Sequence, residues 1–242
     1  MRDIYFYFRS ALILSIFTLG CLYGSASSAE TATVNPEKKS EANPISNAFS
    51  RITQQGWMSL DKQGNFHPEK ELTRAELARI LVKTFDLEKR QLKKTVPSSE
   101  FQFQDVPRNH WAFQDIQTVL RHGVMSGYKP GYFYPNQPLS RAEAFAIFAQ
   151  ADGLYPFESQ ELQDVMATIS DRKQIPQWAE RGIATAVHER FVNLEESPSS
   201  ARPIKLRPEA PFTRGDMAFT LNRFLERAEE KSPFQQLPPE NQ

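Results

Sequence analysis

Phe101-Gln-Phe-Gln-Asp105-Val-Pro-Arg-Asn-His110-Trp111-Ala112 leads into a stretch with helical spacing, and Gly123-Val-Met-Ser-Gly127-Tyr128-Lys129-Pro-Gly131-Tyr132-Phe133-Tyr134-Pro135 follows it. Leu139-Ser140-Arg141-Ala142-Glu143 then opens a second apolar-periodic stretch. The order is helix, glycine-rich turn, helix. Ile116, Val119 and Leu120 fall on the first helix and Phe145, Ile147 and Phe148 on the second, which gives each helix apolar surface to bury.

The unit recurs on both sides. Gly56 and Gly123 lie 67 positions apart, and the same offset sets Met58 on Met125, Gly64 on Gly131, Phe66 on Phe133 and Pro68 on Pro135. Leu72-Thr73-Arg74-Ala75-Glu76 then falls on the Leu139 run without a gap. Downstream, Trp178-Ala179 repeats Trp111-Ala112 at an offset of 67, and Phe212-Thr213-Arg214-Gly215-Asp216 repeats the Leu139 run at 73. The third copy therefore carries about six extra residues between Asn193 and Leu206. There the Gly-x-Phe-x-Pro turn is reduced to Leu206-Arg207-Pro208. Leu77, Ile80, Leu81 and Phe85 form the second apolar face of copy one, and Ile183, Val187, Met217, Leu221, Phe224 and Leu225 those of copy three. A single unit cannot bury such faces alone, so the copies must pack on one another.

Thr73 with Glu76, Ser140 with Glu143 and Thr213 with Asp216 fit the capping box, in which a hydroxyl caps the helix and an acid three residues on reaches back. Asp216 is the shortest of the three acids and the weakest match. Each cap contributes roughly 1 kcal/mol. Capping does not explain Arg74, Arg141 and Arg214, because a cation in the first turn opposes the helix dipole by up to about 1 kcal/mol. Two readings remain open. A helix N-terminus with an adjacent guanidinium suits a carboxylate or phosphate ligand, or each arginine pairs with an acid of a neighbouring copy and fixes the packing.

These residues, in this order and spacing, resemble the S-layer homology family, a cell-wall-anchoring repeat that usually comes in threes. The resemblance implies a mainly α fold, three helix-loop-helix repeats in a pseudo-threefold assembly with a central helical bundle. It also implies grooves that bind wall polysaccharide, commonly one bearing ketal-linked pyruvate whose carboxylate meets the motif arginine. Carried onto this chain, the polysaccharide-binding candidates are Arg74, Arg141 and Arg214, with Asp105, Trp111, Lys129 and Trp178 as lesser contacts. Trp111 and Trp178 can equally serve as packing anchors at helix starts. Gly123, Gly127 and Gly131 are read as turn formers. The third groove departs furthest from the family pattern, since its turn is rebuilt and Gly215 replaces alanine.

Residues 1–29 read as an export signal, with Arg2 and Arg9 before the apolar run Ala11 to Gly20 and a small-residue cleavage site at Ser27-Ser28-Ala29. The alternative is a lipoprotein box at Cys21, the single cysteine, although Thr18 stands where that box prefers leucine. Residues 30–45 form a polar spacer, 46–87 repeat one with a degenerate start, 88–100 a charged linker, 101–154 repeat two, 162–228 a divergent repeat three and 229–242 a tail. Charge is balanced at 29 basic and 29 acidic residues, without the basic stripe of a nucleic-acid binder. Asp61-x-Gln63-x-Asn65 begins like a calcium loop, but Phe66 and Leu72 occupy the positions that need glycine and the bidentate acid. No nucleophile elbow, zinc-peptidase helix or phosphate loop is present in the sequence, and neither catalysis nor a cofactor or metal is expected. The expectation is an exported, non-enzymatic envelope protein, associated with cell wall, periplasm or outer membrane, whose partner is a cell-wall polysaccharide or peptidoglycan-linked polymer. The alternative is an envelope adaptor whose repeat surface binds a protein.

Overall fold

The computed structural model describes residues 44–92, 101–193 and 204–230. The export signal with Cys21, most of the spacer, most of the linker and the last twelve residues lie outside them. The described residues are mainly helical: α1 (Pro44–Gln54), α2 (Arg74–Thr84), α3 (Phe113–Arg121), α4 (Arg141–Asp152), α5 (Ser159–Ala167), α6 (Glu180–His188) and α7 (Arg214–Glu230), with short 3-10 turns at Arg172–Gln174 and Gln177–Ala179. Among them no helix is long and apolar enough to cross a membrane, and β pairing is confined to isolated bridges.

The second helix of each copy begins where its cap places it. Thr73 Oγ1 accepts from the Glu76 backbone N–H and Glu76 Oε2 accepts from the Thr73 N–H at 2.9 Å. Ser140 and Glu143 make the same exchange, with the return bond at 2.8 Å. Thr213 and Asp216 do so as well, at 3.1 and 3.0 Å, so the shorter aspartate still closes its box.

Immediately before the caps, the three copies exchange backbone hydrogen bonds in a closed cycle. The Leu139 N–H donates to Leu72 O at 3.0 Å, Phe212 N–H to Leu139 O at 2.8 Å, and Leu72 N–H to Phe212 O at 2.8 Å. The first helical N–H groups, which have no partner within their own helix, complete the joint. Arg74 N–H donates to Gln137 O, Arg141 N–H to Ala210 O and Arg214 N–H to Lys70 O, each in the turn of the following copy. At the other end of α2, α4 and α7, the rings of Phe85, Phe148 and Phe224 meet pairwise with centroids 5.2 to 6.1 Å apart. Outside this central trio, α2 packs on α3, α4 on α6 and α7 on α1, so each second helix shelters the first helix of the next copy. The fully buried side chains, among them Ile52, Leu77, Ile116, Phe133, Phe145 and Phe212, belong to one cluster that runs through all three copies.

The arginines brace the same joints. Arg74 Nε donates to Phe133 O at 2.9 Å and Nη2 to Ser126 O at 2.7 Å. Arg141 sends Nε to Leu206 O at 2.8 Å and Nη2 to Asn193 O at 3.0 Å. Arg214 sends Nε to Phe66 O at 2.9 Å and Nη2 to Ser59 O at 2.7 Å. Each side chain thus leaves its own helix and donates to two carbonyls of the next copy, which offsets the unfavourable position at the helix N-terminus. The packing alternative foresaw an acid as the partner, but in two joints the partners are carbonyls alone.

The turn that receives the arginine is more alike in the three copies than the sequence suggests. His67, Tyr134 and Arg207 all adopt φ between 53° and 57°, and Phe66, Phe133 and Leu206 before them are all buried. The third turn therefore keeps its receiving half, and the rebuilding is confined to what precedes it. There Ile204 stands where Gly131 stands in copy two and forms a parallel bridge with Ile169. Asp105 Oδ1 and Oδ2 accept from the Phe133 and Tyr134 N–H groups, and Asp171 accepts in the same way from Leu206 and Arg207. In copy one the aspartate comes from within the turn. Asp61 accepts from the backbone of Gln63 and Asn65 and from His67 at 2.6 Å.

Other details depart from the sequence reading. Gly123 and Gly131 have positive φ, as turn formers do, but Gly127 does not; a Cβ there would lie 2.8 Å from the Phe103 ring, so close packing demands glycine at this position. Residue 162, the expected start of repeat three, falls inside α5, an additional helix with Met166 buried that packs on α6. The repeat-like first helix of copy three is α6, and α7 extends to Glu230 into the expected tail.

Two outcomes are expected. Arg141→Ala leaves two carbonyls and the Asp216 carboxylate without their donor, so urea denaturation should show a loss of about 3–5 kcal/mol. Backbone hydrogen bonds from Asn65 first, and then the His67 bond, hold the Asp61 carboxyl at about 2, down from 3.8. A depressed carboxyl stabilises the fold above its unfolded value, and that contribution is lost as pH falls from about 4 to about 2. A carbon-detected NMR titration should accordingly place the Asp61 midpoint near 2.

Candidate functional site

Two clefts occupy equivalent places in the ring. The larger, about 850 Å³, is walled by Arg74 from copy one, by the turn from Gly123 to Tyr128 and α4 residues Glu143, Ala146, Ile147 and Gln150 from copy two, and by Trp178, Arg181 and Gly182 from copy three. The smaller, about 370 Å³, is walled by Arg214 from copy three, by Trp57, Met58, Ser59 and α2 residues Glu76, Arg79, Ile80 and Lys83 from copy one, and by Trp111 from copy two. At the 67-residue offset Glu76 maps on Glu143, Arg79 on Ala146, Ile80 on Ile147, Lys83 on Gln150, Ser59 on Ser126 and Trp111 on Trp178. The two clefts are therefore the same joint built twice.

Each holds a guanidinium at its base and an indole at its rim. Arg74 is 5% exposed and Arg214 is half-buried, while Trp111 and Trp178 are 49% and 63% exposed. A tryptophan with that much surface in water forgoes part of the burial that would stabilise the fold, so its exposed face is available to a partner. The Arg74 guanidinium lies 4.6 Å from the Phe133 ring centroid and that of Arg214 lies 4.8 Å from Phe66. With Nε and Nη2 committed to carbonyls, Nη1 of each has no hydrogen-bond partner among the described residues. Burial lowers the Arg74 pKa and the nearby Glu143 carboxylate opposes that effect; the group stays cationic throughout the physiological range.

One exchange of residues distinguishes the floors of the two clefts. In the smaller, Arg79 pairs with Asp115 at 3.0 Å, donates to Trp111 O at 2.8 Å and lies 4.3 Å from the indole centroid. In the larger, Ala146 and Gly182 replace that pair. A Cβ on Gly182 would fall 2.8 Å from Ala146 Cα, so α4 and α6 approach there at backbone distance.

The remaining candidates are dispersed. Arg141 occupies the third equivalent joint, where Nη1 meets Asp216 Oδ1 at 2.7 Å. Asp105 spends both carboxylate oxygens inside its turn, and Lys129 lies outside both clefts, over the rings of Tyr132 and Tyr134. A hydrogen bond to Tyr134 raises the Lys129 pKa. Sequence reading did not foresee Arg181, Gln150, Arg79 or Lys83 in cleft walls, and it gave Glu76 and Glu143 only a capping role. The signal was present in the repeat offset: residues that share a place on equivalent helices must line equivalent walls once the copies close on each other.

The family model for the S-layer homology domain matches residues 102–145, which take in α3, the turn that walls the larger cleft and the start of α4. The chain is 28% identical over 179 residues to the surface-layer 125 kDa protein of Lysinibacillus sphaericus, covering 74% of this chain and 14% of that protein. It is 30% identical over 159 residues to a cellulosome-anchoring protein of Acetivibrio thermocellus, covering 66% of this chain and 34% of the other. An uncharacterised cell wall amidase of Bacillus anthracis is 33% identical over 92 residues, 38% of this chain and 16% of the amidase. The chain thus spans about a third or less of the length of these relatives, in each of which the similar region is one part of a larger protein. The motif, the mainly helical fold and these similarities agree: the chain is an S-layer homology domain protein.

Proposed function

We propose that the chain is a non-catalytic protein of the cell envelope that binds cell-wall polysaccharide in the clefts between its repeats. The observation that carries this reading is the repetition of one constellation in two joints, a guanidinium with a spare Nη1 lining the same cleft as a solvent-exposed indole. A carboxylate on a sugar accepts from Nη1 while the sugar ring stacks its C–H face on Trp111 or Trp178, so an anionic polymer, pyruvylated or linked to peptidoglycan, satisfies both groups at once. The names of the relatives, a surface-layer protein and a cellulosome-anchoring protein, fit a wall-attachment role. Polymeric ligand also suits the valency, since binding in one cleft raises the effective concentration of the same chain at the other.

The test is co-sedimentation of the purified protein with cell-wall sacculi before and after removal of their covalently attached polysaccharide. Arg74→Ala and Arg141→Ala are poor probes, because both side chains brace the fold. Trp178→Ala is the informative variant: removal of an exposed ring should leave the melting temperature unchanged and weaken binding about tenfold, the loss of roughly 1.4 kcal/mol of aromatic contact. Binding to intact sacculi that vanishes with the polysaccharide is the expected result. No binding to intact sacculi would contradict the proposal and direct the search to an envelope protein as partner.

A further inference from the structure

The three motif arginines are equivalent in sequence and in their bonds through Nε and Nη2, and they differ at one atom. Nη1 of Arg74 and of Arg214 makes no hydrogen bond among the described residues, whereas Nη1 of Arg141 donates to Asp216 Oδ1 at 2.7 Å. This pair is shielded, with the side chains 4% and 12% exposed. Every nitrogen of the Arg141 guanidinium is thereby engaged, two on carbonyls and one on a carboxylate.

The cause lies in the third capping box. Glu76 and Glu143 turn Oε2 back to the cap. The remaining oxygen of Glu76 lies 3.4 Å from Lys70 Nζ, and no ion pair joins Glu143 to Arg74 among the described residues. Asp216 is one methylene shorter. With Oδ2 bound to Thr213 N and Oγ1, its Oδ1 meets Arg141. A second feature agrees: at the 67-residue offset the position of Trp111 and Trp178 falls on Pro44 in copy one, so the third joint has no tryptophan for a sugar ring to stack on.

We infer that the third joint is filled from within, with the Asp216 carboxylate in the place a ligand carboxylate takes in the other two, and that the chain is a two-site receptor. This rests on the wall-binding reading of the two clefts and adds their number and the residue that sets it. A soluble carboxylate competing for Arg141 faces a tethered one already aligned and desolvated, at an effective concentration that free ligand does not reach. Asp216 thus determines valency by converting a binding position into a structural joint.

The test titrates the purified protein with a methyl glycoside carrying one ketal-linked pyruvate, following the arginine Nε–H and tryptophan indole N–H signals by NMR and the stoichiometry by calorimetry. Signals of Arg74, Arg214, Trp111 and Trp178 should move together, that of Arg141 should stay fixed, and two glycosides should bind per chain. Asp216→Asn retains an oxygen for the Thr213 cap and removes the charge, so it should bring the Arg141 signal into the titration as a third site, about tenfold weaker than the other two because that joint has no tryptophan. Asp216→Glu, which restores the acid of the other two copies, serves if the asparagine variant fails to fold and should have the same effect. Movement of Arg141 in parallel with Arg74 and Arg214 in the unaltered protein, or two sites in a folded Asp216 variant, would overturn the inference and leave the wall-binding reading standing. No movement at Arg74 or Arg214 would remove that reading and this inference with it.

Discussion

The structure depends on an arginine at the start of a helix that reaches out of its own repeat. Three such side chains place two donors each on carbonyls of the following turn, and beside them three backbone N–H groups pass from Leu72 to Phe212, from Phe212 to Leu139 and from Leu139 to Leu72. Because the last bond returns to the first copy, no repeat end is left as an open edge at this level. A linear stack of repeats needs capping units with polar outer faces; a closed cycle of three does not.

The same interaction explains how the clefts come to exist. A guanidinium carries five donors in a rigid fork, and the turn carbonyls take those on Nε and Nη2. The third nitrogen is held in position by bonds that also hold the fold, so it is preorganised without a further ordering cost. A lysine at the same position has its three donors on one nitrogen at the end of a flexible stem, and lacks the rigid fork that bonds two carbonyls while holding a separate nitrogen toward the cleft. Fold and proposed site therefore share a residue, and a change at Arg74 or Arg214 disturbs the joint whatever it does to binding. The exposed tryptophans do not share that double duty.

Much of this was written in the sequence, and the portions that were not have identifiable reasons. The helices with a capping box, α2, α4 and α7, begin at the residues their motifs mark, because the cap fixes the start. The arginine could be seen to be anomalous, but its partners are backbone carbonyls 52 to 155 positions away in the chain, and a carbonyl leaves no mark on the identity of its residue. Asp105 enters as a lesser ligand contact through the family resemblance alone, and its pairing with backbone N–H groups across the turn is equally silent in the sequence. Leu206-Arg207-Pro208 read as a lost turn because the glycine was gone, yet burial of the apolar residue and the left-handed residue after it are what the joint requires. Helix α5 has no counterpart in the other copies, so an offset comparison could not find it. The clefts themselves lie between copies, and each needed three separate stretches of chain to be brought together.

Native-state hydrogen exchange at the amides of Leu72, Leu139 and Phe212 tests the central claim most directly. Amides whose exchange requires global unfolding share one opening free energy, whereas a joint that opens locally exchanges at a lower one. If the three repeats close on each other as a single cycle, all three amides should exchange together with the global stability and all should accelerate in Arg141→Ala. Exchange of the Leu72 amide, which bonds copy one to copy three, at a distinctly lower free energy than those of Leu139 and Phe212 would show that copy one and copy three separate while the rest stays folded, and would contradict the closed cycle.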